Sequence, residues 1–404
     1  MGKAQAYQVR RWSVAGMAVG ALVISAVTAG CTASTAQPKA HHTKPTVVTV
    51  SAPADKATDV PAGTPLRVGV VRGHVGTVAV TDGDGANVPG QLDKDGTWLP
   101  DKQLAYHTTY HVTARAKKSK AAAHSTFTTM ARPSADKLVQ VSSYVSNDAS
   151  YGVGLPIVVS FGHSVPKRLR ADVQRRMVVD STPHVVGAWH WWAGNEVHFR
   201  PKDQWPTGTR FTVRLALGGV PMGAGYYGAN NLELNAKIAD NKLAMDIDDR
   251  TKTLTVTRDD KVIRKIPVSL GAAGTPTSSG RMVVMTRNQS EVFDSSTFGV
   301  PADSPGGYRE TVYWDLRFTW DGQYIHAAPW SVGDQGSDNV SHGCVNVSDE
   351  AAQWLFARSH VGDPVTVRNT GAPLDAGDGW TDWNMSWTEF LKGSALRVDP
   401  DTGE

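Results

Sequence analysis

At 404 residues, the chain has room for two or three domains of roughly 150 residues each. Lys and Arg number 41 against 38 Asp and Glu, a formal charge of +3, which excludes nucleic-acid binding through a strongly basic surface. Thirteen Trp exclude broad disorder, and two cysteines, Cys31 and Cys344, exclude a disulfide framework or a site built from several thiolates.

Residues 1–31 read as a secretion signal. Lys3, Arg10 and Arg11 form a basic start, and an apolar stretch rich in Gly and Ala runs from Trp12 to Ala29. It is too short and too rich in small residues for a permanent membrane span. The stretch ends Thr28-Ala29-Gly30-Cys31, which resembles a bacterial lipoprotein cleavage box with Thr28 where Leu, Val or Ile is usual. On that reading Cys31 carries diacylglycerol, each buried methylene adding about 0.8 kcal/mol of membrane affinity. Ordinary signal cleavage, with Cys31 lost or inert, and a twin-arginine signal at Arg10-Arg11 are the alternatives. All three place the mature chain outside the cytoplasm. Residues 32–46 are Thr-, Ala- and Pro-rich and read as a flexible tether, with His41 and His42 as solvated linker histidines.

From 47 to 132 short alternating strands are split by turn signals: 66–70, 77–80 followed by Asp82-Gly83-Asp84-Gly85, and 110–114. That spacing predicts a β-sandwich. Residues 133–239 repeat the logic, with a strand at 157–161, a short helix over 165–176 opened by Pro166, and a hairpin of 188–192 with 196–200 around Ala193-Gly194-Asn195. The cluster Lys167, Arg168, Arg170, Arg175 and Arg176 reads as a solvated helix face, or as a contact for anionic polymer or lipid headgroups. Trp189, Trp191 and Trp192 read as sandwich core, with a sugar-stacking platform as the alternative. A third segment, 240–369, is again mostly strand: 253–256, a turn at Asp259-Asp260, and 262–268. Ser348, followed by Asp349 and Glu350, marks a helix N-terminus. The tail, 370–404, holds Trp380, Trp383 and Trp387, aromatics dense enough to pack back onto the preceding domains.

The chemistry concentrates around the second cysteine, in Tyr324-Ile325-His326-Ala327-Ala328-Pro329-Trp330 and Ser341-His342-Gly343-Cys344-Val345-Asn346. An ordinary thiol is only a few per cent thiolate at neutral pH, so a nucleophilic cysteine needs a base or a cationic partner. His342 points sideways on extended chain and serves the loop, whereas His326, at a strand end, can reach across the fold. Gly343 lets the backbone approach a substrate, so the amides of 343 and 344 can face a developing oxyanion. Each such donor is worth about 2.7–4 kcal/mol. On these residues alone an unreactive cysteine beside loop histidines stays open.

The full pattern, His326, fourteen residues, then Ser341-His342-Gly343-Cys344-Val345-Asn346, resembles the active-site signature of the peptidoglycan L,D-transpeptidases, the family with the YkuD catalytic fold. The likeness extends to Thr275-Pro276-Thr277 with Gly280, to Asp294-Ser295-Ser296-Thr297-Phe298-Gly299, to Tyr308-Arg309 and to Trp383-Asn384. The layout is similar to that of the mycobacterial-type enzymes. The fold it implies is mainly β: two immunoglobulin-like sandwiches, a YkuD-type catalytic domain with one or few helices, and a Trp-rich C-terminal tail.

The resemblance implies that Cys344 is the nucleophile and His326 its general base and later acid, the backbone carbonyl of Ala327 orienting the imidazole where Ser is frequent in the family. It implies that His342, Gly343 and Asn346 shape the loop and oxyanion hole, and that Tyr308, Phe293, Ser341, Asn346 and Trp330 meet substrate. Phe293 stands where close relatives carry Met. The implied reaction attacks the diaminopimelyl carbonyl at position 3 of a tetrapeptide stem, expels D-Ala, and passes the acyl group to an amine of a neighbouring stem as a 3→3 cross-link. No metal or organic cofactor is implied. Donor and acceptor stems, the membrane through the lipid anchor, and carbapenems as covalent inhibitors are the implied partners, with no nucleic acid and a monomeric chain. The implied location is the outer face of the cell membrane, toward the wall, with the sandwiches as a spacer.

Three rivals remain: an L,D-carboxypeptidase on the same fold with water as acceptor, an enzyme attaching a protein amine to the stem, and a non-catalytic wall-binding scaffold. An NlpC/P60-type cysteine peptidase has its cysteine before its histidine, the reverse of His326 and Cys344.

Overall fold

The computed structural model describes residues 45–403 apart from Lys94, Pro305 and Gly306. The signal and lipidation readings, Cys31 included, and the tether up to residue 44 lie outside the described residues.

Strict alternation builds the first sandwich. In the Thr109–Ala116 strand Tyr110, Val112, Ala114 and Ala116 turn inward while Thr109, His111 and Arg115 face solvent. That strand joins Ala57–Val60, Ala122–Thr129 and Val75–Asp82 in one four-stranded sheet. Val47–Ala52, Leu66–Val71, Thr97–Pro100 and Gly90–Leu92 form the other. Leu66 and Trp98 of one sheet meet Val80, Tyr110, Val112 and Phe127 of the other.

Two further four-stranded sheets follow, Val141–Ser143, Ile157–Phe161, Glu196–Pro201 and Gly187–Trp191 against Ser150–Tyr151, Leu232–Ile238, Arg210–Leu215 and Met177–Thr182. Trp189 and Trp191 are buried between them, their indole N–H groups donating to the Met177 carbonyl at 2.9 Å and the Gln174 side chain at 3.0 Å. They are core and present no sugar platform. The helix spans Lys167–Gln174, shorter than the sequence suggests, because Pro166 is still extended at ψ 145°. Its basic cluster is divided, with Lys167 and Arg168 exposed and the arginines that follow bonded within the fold. Arg170 donates to the Val165 carbonyl at 3.1 Å, Arg175 pairs with Asp172 at 2.8 Å, and Arg176 reaches the Asp172 carbonyl at 2.7 Å and the Gly63 carbonyl of the first sandwich.

The third region pairs a five-stranded sheet (Lys261–Pro267, Thr253–Arg258, Leu243–Asp248, Pro364–Arg368, Gly280–Val283) with a four-stranded one (Thr286–Asp294, Arg309–Arg317, Tyr324–Ala327, Val345–Val347). Asp259 and Asp260 both take left-handed φ, 49° and 62°, and so close the two-residue turn between Arg258 and Lys261. Ser348 caps the Asp349–Phe356 helix by accepting from the Ala351 amide at 3.2 Å, and Ala351, Ala352 and Leu355 enter the core.

The tail fastens this region to the second sandwich. Trp380, Asp382 and Phe390 are fully buried. Trp383 donates to the Gly154 carbonyl at 2.6 Å, and Asn384 accepts from the Arg281 amide at 3.1 Å. The Arg200 guanidinium lies 4.5 Å from the Trp383 ring and 4.6 Å from that of Phe390.

Candidate active site

Parallel pairing of two short strands brings the motif together. Ile325 lies beside Val345, His326 beside Asn346 and Ala327 beside Val347. Because side chains alternate, Ile325, Ala327, Val345 and Val347 fill the core, while Tyr324, His326, Cys344 and Asn346 share the other face. Cys344, one residue before its strand, falls opposite Tyr324 in that register.

The loop ahead of Cys344 is tied from within. The Ser341 hydroxyl donates to the Cys344 carbonyl at 2.6 Å and accepts from the Gly343 amide at 3.1 Å. Buried Thr277 donates to the Gly343 carbonyl at 2.8 Å and accepts from the Gly271 amide at 2.9 Å. Gly343 has φ +124°, which L side chains rarely adopt. The Gly343 amide, read from sequence as an oxyanion donor, is therefore occupied by Ser341 in this structure.

His326 is buried, and its Nδ1–H donates to the Ala327 carbonyl at 2.9 Å. A carbonyl only accepts, which fixes the tautomer and leaves a lone pair on Nε2. Burial pushes the His326 pKa down to about 4, against the pull of the Ala327 carbonyl, so the ring is neutral at neutral pH. The Cys344 thiol donates to the Gly322 carbonyl at 3.6 Å, and that, among the described residues, is its hydrogen bond. Burial pushes the thiol up to about 12, the Tyr324 backbone opposing and Asp321 and Asp315 adding to the rise. The resting pair is a thiol and an imidazole, both uncharged.

A cavity of about 160 Å³ opens on these groups, lined by Phe293, Tyr308, His326, Trp330, Ser341, His342, Cys344 and Asn346 together with Glu310, Val312 and Val340. The structure thus gathers the expected residues in one pocket, with Ala327 and Gly343 beside it. Phe293 sets its ring 5.4 Å from His326, near perpendicular, and 4.5 Å from Tyr324. Tyr308 lies 5.3 Å from His342, which is exposed. Trp330 stands at the rim, 57% exposed and 6.1 Å from His326. Asn346 is also an internal strut, its amide donating to Ser331 at 3.1 Å and its backbone bonding Ser269 in both directions. Glu310 was not singled out from sequence, although alternation from Tyr308 through Glu310 to Val312 would have placed it on the pocket face. Among the described residues no group of three or more His, Cys, Asp or Glu side chains is placed to hold a metal ion.

A bacterial Ig domain model matches residues 57–221, across both sandwiches, and an L,D-transpeptidase catalytic domain model matches 243–367. L,D-transpeptidase 2 of Mycobacterium tuberculosis (strain CDC 1551 / Oshkosh) is 36% identical over 343 residues, covering 84% of this chain and 83% of that one. L,D-transpeptidase 1 of Mycobacterium tuberculosis (strain ATCC 25618 / H37Rv) is 38% identical over 223 residues, 55% of this chain and 82% of that one. A solved structure of LD transpeptidase LdtMt1 in complex with imipenem is 36% identical and covers 56% of this chain and 97% of its own, with a TM-score of 0.48. The chain belongs to the L,D-transpeptidase family.

Proposed function

We propose that this enzyme forms 3→3 cross-links between peptidoglycan stems through a thioester on Cys344. The carrying observation is the His326 tautomer: with Nδ1–H held by the Ala327 carbonyl, Nε2 is the atom available to take a proton in the pocket that Cys344 shares. Because the thiol is held near 12, no thiolate waits at rest. The thiol leaves Gly322 for His326 as the donor enters, and attack on the diaminopimelyl carbonyl is concerted with proton transfer to Nε2. The Cys344 amide is the remaining oxyanion donor of the two read from sequence. Collapse breaks the C–N bond, His326 protonates the departing D-Ala amine, and a thioester stays on the sulfur. An amine of a second stem then forms the new amide as the C–S bond breaks, its proton returning through His326 to Cys344. Carbapenems would acylate the same sulfur by ring opening.

The same reading places the chain outside the cytoplasm as a monomer, anchored through Cys31, with the sandwiches lifting catalysis into the wall. Incorporation of labelled fatty acid that persists in Cys31→Ala would refute the anchor. The chemistry is tested on soluble protein from residue 47 onward, given purified disaccharide-tetrapeptide, with products read by mass spectrometry beside Cys344→Ala. A dimer lighter than two monomers by one D-Ala and absent in the variant is expected. Tripeptide alone would make the enzyme a carboxypeptidase, and unchanged substrate would leave a scaffold.

A further inference from the structure

One pocket-lining group has no part in the mechanism above. Glu310 sits opposite Phe293 in the hairpin formed by Thr286–Asp294 and Arg309–Arg317, so the two share a face, and both line the cavity with Cys344 and His326. The neighbouring charges are satisfied. Arg309 pairs with Asp294 at 3.5 Å, and Glu291 accepts from Asn288 at 2.8 Å and from the Tyr324 hydroxyl at 3.4 Å. Glu310 is exposed and, among the described residues, makes no hydrogen bond or ion pair. It nonetheless acts inside the pocket: burial first, with the Glu310 charge adding, pushes the Tyr308 hydroxyl pKa up. Glu310 is the one acidic side chain among the described residues that line the cavity. The pocket therefore presents a carboxylate that, among the described residues, has no ion-pair partner.

We propose that Glu310 recognises the primary ammonium group of a stem peptide side chain. This rests on the transpeptidase reading, in which donor and acceptor each bring such a group close to the sulfur. For the acceptor the consequence is direct. The ammonium docks on Glu310, sheds one proton to solvent, and attacks the thioester carbonyl as an amine. The C–N bond forms as the C–S bond breaks, and the second amine proton passes through His326 to the Cys344 sulfur. Water carries no positive charge and gains nothing from Glu310, so the carboxylate favours transfer over hydrolysis.

Glu310→Gln, Glu310→Lys and Glu310→Asp decide the matter with two acyl donors, disaccharide-tetrapeptide and an amine-free penem, acylation and product partition both being followed by mass spectrometry. If the ammonium belongs to the acceptor, Glu310→Gln moves the ratio of dimer to hydrolysed tripeptide down by about three-fold, the scale of an exposed ion pair, and added salt erases the difference. If it belongs to the donor, Glu310→Gln slows acylation by the stem relative to the penem by a similar factor. Glu310→Lys deepens either defect, and Glu310→Asp recovers part of it. Equal effects on stem and penem with unchanged partition would overturn the assignment and leave Glu310 a shaper of the pocket wall. Wild-type protein that makes no penem adduct, tripeptide or dimer would sink the underlying transpeptidase reading instead.

Discussion

Two buried histidines, one in the catalytic pocket and one under the tail, show what the fold does with the same side chain. His198 is nearly sealed, with Nδ1 3.0 Å from the Asp382 carboxylate and Nε2 3.1 Å from Glu196. Carboxylates accept, so both ring nitrogens donate and the ring is an imidazolium. Burial works against that charge, but the field of Asp382, its hydrogen bond and the Glu196 contacts win and raise the pKa to about 9. His326 is similarly buried, but among the described residues its hydrogen-bond partner is a carbonyl, so burial wins and the value falls to about 4. The difference is a pair of acidic partners, Asp382 and Glu196, that His326 lacks. Under the tail the fold supplies carboxylates, and in the pocket, where the proposed mechanism calls for a base, it withholds them.

Removing each histidine separates the two roles. His326→Ala loses the proton acceptor and is expected to slow acylation of Cys344 by about 10²–10⁴-fold, measured as adduct formation with a β-lactam, with the melting temperature little changed. Asp382→Ala leaves an imidazolium buried without its main partner, and a loss of about 3–5 kcal/mol in denaturant unfolding is expected. If the two variants gave the same mixture of inactivity and instability, the contrast would fail.

The pH responses should also run in opposite senses. His198 has its folded-state value raised, so its contribution to stability is complete below the ordinary imidazole range and is lost as pH climbs through about 9. Thermal unfolding followed from pH 7 to 10 should show that loss, and His198→Gln should flatten it. His326 has its value depressed, so the base is available above about 4, and β-lactam acylation should be level from pH 6 to 8 and fall only in more acidic buffer. The smallest effect is expected for Ala327→Ser. The orienting atom is the backbone carbonyl, so restoring the hydroxyl should change acylation by less than about two-fold.

Much of this was legible in the sequence, for reasons that differ residue by residue. The strands of the sandwiches declared themselves by alternation, and the Ser348 cap and the Asp259-Asp260 turn did so by local chemistry. Cys344 and His326 were legible through motif and spacing. The parallel pairing that puts them on one face was not, because register between segments some twenty residues apart leaves no local trace. Thr277 stood in a noted motif, yet its grip on the Gly343 carbonyl depends on a contact across 66 positions. The Gly343 amide looked available because the competing Ser341 hydroxyl folds back only in the finished loop. The His198–Asp382 clamp spans 184 positions, and nothing near either residue announces the other.

The claim at the centre is that Cys344 rests as a neutral thiol served by a neutral base, and alkylation by iodoacetamide across pH, beside acylation by a β-lactam, tests it most directly. The account predicts slow alkylation at pH 7 that is still rising beyond pH 9, while acylation is already at its plateau by pH 6 and collapses in His326→Gln. Alkylation at full rate by pH 7, lost on removing His326, would show a preformed thiolate–imidazolium pair and contradict it.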